Sequence, residues 1–276
     1  MNELDSAGSR PLRMWQERLE NLRRIEREVG VNVEVPTAQL EPDGNILWML
    51  EIEEWRSALH VMGGNAALTC AIANHFEEVV YLDSRPSFAE LARRRLADEG
   101  VLNATVRVGD PRALPYADAS FDWIAAQDAL DAMPTDDATT PWDTMKGILT
   151  ECRRVLRPGG GLYVRAANRH DLGTWLPAMS ARGPRQGANG NVPGAAVSAR
   201  WLRNALRDAG FSDVRLYYVE PTRALPMALI PATRKAVAVY ESRGHLASAS
   251  ARFRRLMAGA RLHASLYSAL VALAYL

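Results

Sequence analysis

Apolar positions along this chain change period several times, and the changes mark out its elements. In residues 11–29, PLRMWQERLENLRRIEREV, the positions Leu12, Trp15, Leu19, Leu22 and Ile25 recur at steps of three and four, which predicts an amphipathic helix closed by Gly30. A turn-rich EPDGN at 41–45 and an aromatic-rich ILWMLEIEEWR at 46–56 follow. From there the pattern alternates. Short apolar runs at 57–62, 79–83, 104–109, 121–127 and 161–166 read as strands, and 66–75, 86–99 and 140–156 between them read as helices, with Pro86 in a first turn. Such alternation predicts a parallel, doubly wound sheet whose ligand site lies at the carboxyl ends of its strands. The PGG at 158–160 is expected as a tight turn ending the 140–156 helix.

Past the fifth strand the pattern weakens. RGPRQGANGNVPGAA at 182–196 is too polar for core and suits a loop over the site. A helix at 198–209, closed by Gly210, leads into a strand at 212–219; prolines at 221, 226 and 231 then break regularity, and 233–258 reads as helix. The last stretch, LHASLYSALVALAYL at 262–276, is uncharged and suits a buried helix or strand. It is shorter than the roughly 20 residues that a membrane-spanning helix requires.

Composition changes this picture little. The 276 residues suffice for one large α/β domain with extensions. Lysine and arginine total 33 against 32 acidic residues, a net charge of +1, so bulk charge gives no pull toward nucleic acid or an acidic membrane. Cys70 and Cys152 lack CxxC spacing and a nearby histidine cluster, so neither a disulfide framework nor a zinc site is indicated. The mixed-charge N-terminus has no signal-peptide core, and a cytoplasmic protein is expected.

Two blocks carry specific chemistry. VGDPRALPYADASFDWIAAQDAL at 108–130, followed by LTECRRVLRPGGGLYV at 149–164, resembles class I S-adenosylmethionine-dependent methyltransferases, whose text runs close to GDAxxLPFxDxSFD and then ExxRVLxPGGxLxV. The resemblance covers roughly residues 56–219. It implies a Rossmann-like doubly wound α/β sheet with N-terminal and C-terminal helical additions. The boundaries expected are 1–50 for an N-terminal cap or interaction segment, 51–219 for the methyltransferase-like domain and 220–276 for an extension packed on it.

The resemblance also implies S-adenosyl-L-methionine as cofactor, faced by His60, Gly63, Gly64, Asp83, Asp110, Pro111 and Gln127. A carboxylate can accept from both hydroxyls of a ribose, which suits Asp83 at the end of the second strand. Asp110 would accept from the adenine amine, beside Pro111. The strand-to-helix turn differs from the family. Where the family reads LDLGCGTGALT this chain reads LHVMGGNAALT, so His60 stands at the acidic position and Met62, Gly64 and Ala66 at the three glycines. An imidazole is a poorer partner than a carboxylate for the cofactor's ammonium. Positive φ at Met62 would cost about 1–2 kcal/mol.

Other positions carry more than one reading. His170, after the fifth strand, is either a general base for a hydroxyl acceptor or a polar loop histidine. Asp128 and Asp131 are substrate contacts or solvated carboxylates. Trp15, Trp48 and Trp55 with the apolar C-terminus suit a lid, a dimer surface or ordinary packing. Two functions follow. One is a methyltransferase acting on a small-molecule acceptor. The other is a catalytically inactive scaffold or regulatory subunit, as a homo-oligomer or in a heteromer with an active methyltransferase.

Overall fold

The computed structural model describes residues 17, 20–31, 47, 50, 55–126, 129, 140–171, 196–221, 226–243, 256–257, 263–267 and 269–276. Helical residues 20–28 (α1) precede β1 (Ser57–Val61), α2 (Ala67–Ala73), β2 (Glu78–Asp83), α3 (Pro86–Asp98), β3 (Ala104–Val108) and β4 (Phe121–Ala126). Then come α4 (Pro141–Val155), β5 (Leu156–Ala167), α5 (Ala199–Asp208), β6 (Asp213–Pro221), β7 (Pro226–Pro231), α6 (Arg234–Arg243) and β8 (Ala269–Tyr275). The strands form one sheet in the order β3-β2-β1-β4-β5-β8-β6-β7. β1 to β5 pair in parallel, and β8 runs antiparallel to both β5 and β6.

Both faces of the central strands are buried, so their sequences are mostly apolar rather than alternating with polar residues. Leu59, Val61, Ile124, Leu162 and Val164 join one core cluster with Ile148 and Leu149 of α4 and Leu202 of α5. Ala58, Trp123, Ala125 and Tyr163 join a second with Leu68, Ala71 and Ile72 of α2. Trp123 is fully buried between the rings of Phe76 and Tyr163, at 5.7 and 6.3 Å, and so is core filling. Leu22, Ile25 and Val31 pack with Phe88 and Leu91 of α3, so α1 docks on that helix with its apolar stripe.

Both cysteines lie buried in helices, Cys70 in α2 and Cys152 in α4. Burial pushes the two thiols up to about 11 and about 12.

Two expectations change and one left open is decided. The PGG at 158–160 does not separate α4 from a later strand: α4 ends at Val155 and β5 begins at once, running through the glycines. They are absorbed as an irregularity in the β4–β5 ladder, with φ of 79° at Gly159. A side chain at Gly160 would lie 2.6 Å from the Asp122 carbonyl.

The proline-rich stretch after residue 221 holds a strand, β7, flanked by Pro226 and Pro231. It lies at the sheet's edge, where proline's missing N–H is tolerated. The C-terminus is a strand. β8 is buried between β5 and β6, so the chain beyond residue 219 supplies two strands of the sheet itself.

Candidate cofactor site at the strand ends

The ends of β1, β2 and β3 are bonded side by side. Met62 N donates to the Leu82 carbonyl at 2.7 Å and Gly109 N to the Asp83 carbonyl at 3.1 Å. Met62, Asp83 and Asp110 are therefore brought together at adjacent carboxyl ends, where a doubly wound sheet binds its ligands.

The turn after β1 keeps a glycine-type backbone without its glycines. Met62, Gly64 and Ala66 have φ of 55°, 57° and 60°. Those are the three positions at which the resembling family has glycine. Only Gly64 adopts this conformation without steric penalty; Met62 and Ala66 each cost about 1–2 kcal/mol. The Met62 side chain is fully buried and belongs to the same core cluster as Leu82 and Leu114, and its sulfur accepts from Ser84 Oγ at 3.5 Å. Its packing holds the strained backbone in place.

His60 is fully buried, with Nδ1 2.7 Å from Thr69 Oγ1 and its ring edge-on to Tyr81 at 5.9 Å. The imidazole lies over Gly63, where an added Cβ would sit 2.3 Å from the ring. Gly63 thus makes room for His60. Asn65 Oδ1 caps Ala67 N at 3.1 Å, while its buried Nδ2 has no hydrogen-bond acceptor among the described residues. A buried unpaired amide donor calls for an explanation. The guanidinium of buried Arg95 holds the Asn65 carbonyl at 3.0 Å.

The two carboxylates expected at the adenosine end are each closed by an arginine two residues on. Asp83 is fully buried. Its Oδ1 accepts from Arg85 N and Nε, both at 2.9 Å; its Oδ2 accepts from Arg85 Nη2 at 2.8 Å and lies 3.2 Å from the Tyr81 hydroxyl. The Tyr81 hydroxyl also donates to the Gly64 carbonyl at 2.8 Å, tying the end of β2 to the turn.

Asp110 accepts from Arg112 N at 2.8 Å, Nε at 3.1 Å and Nη2 at 2.9 Å, and its side chain is 41% exposed. The Arg112 hydrogen bonds hold the Asp110 carboxyl below its usual range against a smaller opposing effect of burial. Pro111 beside it is buried.

His170 sits exposed in the turn after β5, its backbone N–H donating to Asn168 Oδ1 at 3.1 Å. No hydrogen bond from its ring to a described residue is seen. Trp55 is half-buried and packs on β5, where a side chain at Gly161 would meet its ring at 2.7 Å. Gln127, Asp128, Asp131, Trp15, Trp48 and the loop at 182–195 lie outside the described residues.

Arg85, Arg112, Tyr81, Thr69 and Asn65 were not singled out by sequence. A signal for the arginines was present: DSR at 83–85 and DPR at 110–112 both place arginine two residues after an acid at a strand end.

The sheet order and the strand-end carboxylates define a class I methyltransferase-type fold, and the comparisons agree. A family model described as methyltransferase domain matches residues 59–164. The chain is 30% identical over 114 residues to a demethylmenaquinone methyltransferase of Halalkalibacterium halodurans, covering 40% of this chain and 43% of that one. It is 38% identical over 76 residues to the methyltransferase GfsG of Streptomyces halstedii, covering 27% of this chain and 24% of that one. It spans less than half the length of these curated relatives.

An S-adenosylmethionine-dependent methyltransferase from Thermotoga maritima superposes with a TM-score of 0.54 at 15% identity, over 95% of this chain and 98% of that one. That likeness shows the fold. Among the described residues no helix is long and apolar enough to cross a membrane.

Proposed function

We propose that this chain transfers a methyl group from S-adenosylmethionine to a small molecule or biosynthetic intermediate. The observation that carries the reading is the placing of Asp83 and Asp110 at neighbouring strand ends, beside a turn that keeps positive φ at all three glycine positions. Asp83 would accept from the ribose hydroxyls and Asp110 from the adenine amine. The buried Nδ2 of Asn65 would donate to the methionine carboxylate, a contact that does not need the acid replaced by His60. When bound, the cofactor supplies an electrophilic methyl group open to in-line attack by the acceptor. The chain's own contribution is position, which accounts for much of the rate in such transfers. His170, at the same edge of the sheet, is the candidate base for a hydroxyl acceptor. The residues flanking 51–219 would select the acceptor.

A second reading, an inactive scaffold beside an active methyltransferase, is favoured by the methionine end. There His60 is buried against Thr69 and Gly63, and Met62 stands where the family has glycine.

Calorimetric titration with S-adenosylmethionine and S-adenosylhomocysteine separates the two. Roughly micromolar binding is expected, weakened about 10- to 100-fold in Asp83→Ala by the loss of charge-assisted hydrogen bonds. Absence of binding, with a second methyltransferase co-purifying, would establish the scaffold instead.

A further inference from the structure

A carboxylate has about four acceptor positions, and at Asp83 three are filled by Arg85, with the Tyr81 O–H, shared with the Gly64 carbonyl, beside the fourth. Two of the Arg85 contacts come from Nε and Nη2, the parallel N–H pair of a guanidinium fork. That pair presents the donor pattern of a vicinal diol. The guanidinium is itself held from outside, 3.7 Å above the centre of the Phe88 ring, and its side chain is 16% exposed where Asp83 is 0%. Arg85 therefore separates the carboxylate from solvent.

Asp110 differs. It is bonded by Arg112 but remains 41% exposed and open to a further donor.

We propose that Arg85 occupies the ribose subsite as a built-in competitor. On this account the diol of an adenosine ligand binds Asp83 by exchanging two O–H donors for Nε–H and Nη2–H, and the Arg85 backbone N–H stays in place. Arg85 sets how tightly the site holds any ligand with a free ribose diol. It discriminates little among ligands without one. The inference rests on the cofactor reading above, since it takes Asp83 as the ribose acceptor.

The test compares the full chain with Arg85→Ala and Arg85→Lys, titrated with S-adenosylhomocysteine, adenosine and 2′,3′-dideoxyadenosine. Arg85→Ala leaves a buried carboxylate short of partners and will lower stability. Arg85→Lys keeps a compensating charge but not the fork. Circular dichroism establishes that each variant is folded at the temperature of titration.

The expected result is a Kd for S-adenosylhomocysteine and adenosine lower by about tenfold in Arg85→Ala and by less in Arg85→Lys, with the dideoxy compound unchanged. Binding by a variant where the wild type shows none would support it equally. Unchanged or weaker binding in both variants, with the wild type binding, overturns the competitor role and leaves the cofactor reading intact. An equal gain for the dideoxy compound also overturns it. If no folded form binds any of the three ligands, the cofactor reading fails and the competitor role fails with it.

Discussion

The two edges of the sheet both carry a carboxylate paired with arginine, and they are wired differently. At the amino-terminal edge Asp122 accepts from Arg56 N, Ser57 N and Ser57 Oγ, each at 2.9 Å, and from Arg157 Nη1 at 2.8 Å. Those partners lie 35 to 66 residues away in the chain, so the side chain ties the start of β1 to β4 and to the β5 glycines. At the carboxyl-terminal edge the arginines bonded to Asp83 and Asp110 are two residues distant. Each of those pairs is local to its own strand end. A carboxylate that staples the sheet cannot be lent to a ligand, whereas one paired only with its own neighbour can be released at local cost. The contrast separates folding from binding among acids that look alike in sequence.

Asp122→Ala should show the largest effect on stability, a loss of about 2–3 kcal/mol in denaturant unfolding, because it strands two backbone donors and a guanidinium. Its carboxyl is held below the usual range: burial alone would raise it, but the N–H groups of Ser57 and Arg56 and the Arg157 side chain outweigh that. Asp83→Ala should cost only about 1 kcal/mol, since the donors it releases lie within two residues and the Arg85 side chain, 16% exposed, can turn toward water. Equal losses in the two variants would break the comparison.

A third acid sharpens the contrast. Glu26 on α1 is buried, and its Oε1 has no hydrogen-bond partner among the described residues. Burial raises it to about 7, opposed by the charges of Arg95 and Arg23. A raised acid makes the folded state bind more protons than the unfolded state, so its contribution to stability is full below about 4.5 and is lost as pH rises through about 7. Glu26→Gln should therefore be more stable than wild type by about 1–2 kcal/mol at pH 8, a gain that vanishes near pH 5. A pH-independent difference would contradict the assignment.

The smallest effect is expected at the turn. Ala66→Gly relieves positive φ but frees the unfolded chain, so melting should shift by no more than about 0.5 kcal/mol. A larger loss would mean that the Ala66 methyl group is needed in the core.

Much of this architecture was legible. The strand–helix alternation from 57 to 166 and the two family blocks led to the fold, because buried parallel strands and amphipathic helices leave distinct apolar patterns. The misses have particular causes. β7 is short and bounded by prolines, which read as breakers unless the strand is known to lie at an edge. ALVALAY in β8 is apolar at every position because both faces are covered, so periodicity could not separate strand from helix. At the site, the family resemblance pointed to Asp83 and Asp110 as strand-end acids. The arginine two residues after each acid was visible in DSR and DPR, but that it folds back onto the carboxylate depends on backbone geometry at the strand end. Likewise the exchange of a carboxylate for His60 was visible, but its packing over Gly63 was not.

The central claim is that Asp83 is the ribose acceptor of an adenosine-binding site and that its arginine is displaced by the ligand. A crystal structure of the full chain grown with S-adenosylhomocysteine tests this most directly. The account predicts both ribose hydroxyls within hydrogen-bond distance of the Asp83 carboxylate, the adenine amine on Asp110, and the Arg85 guanidinium withdrawn from its fork. An adenosine bound elsewhere, or bound at this edge with Arg85 still forked on Asp83, would contradict it.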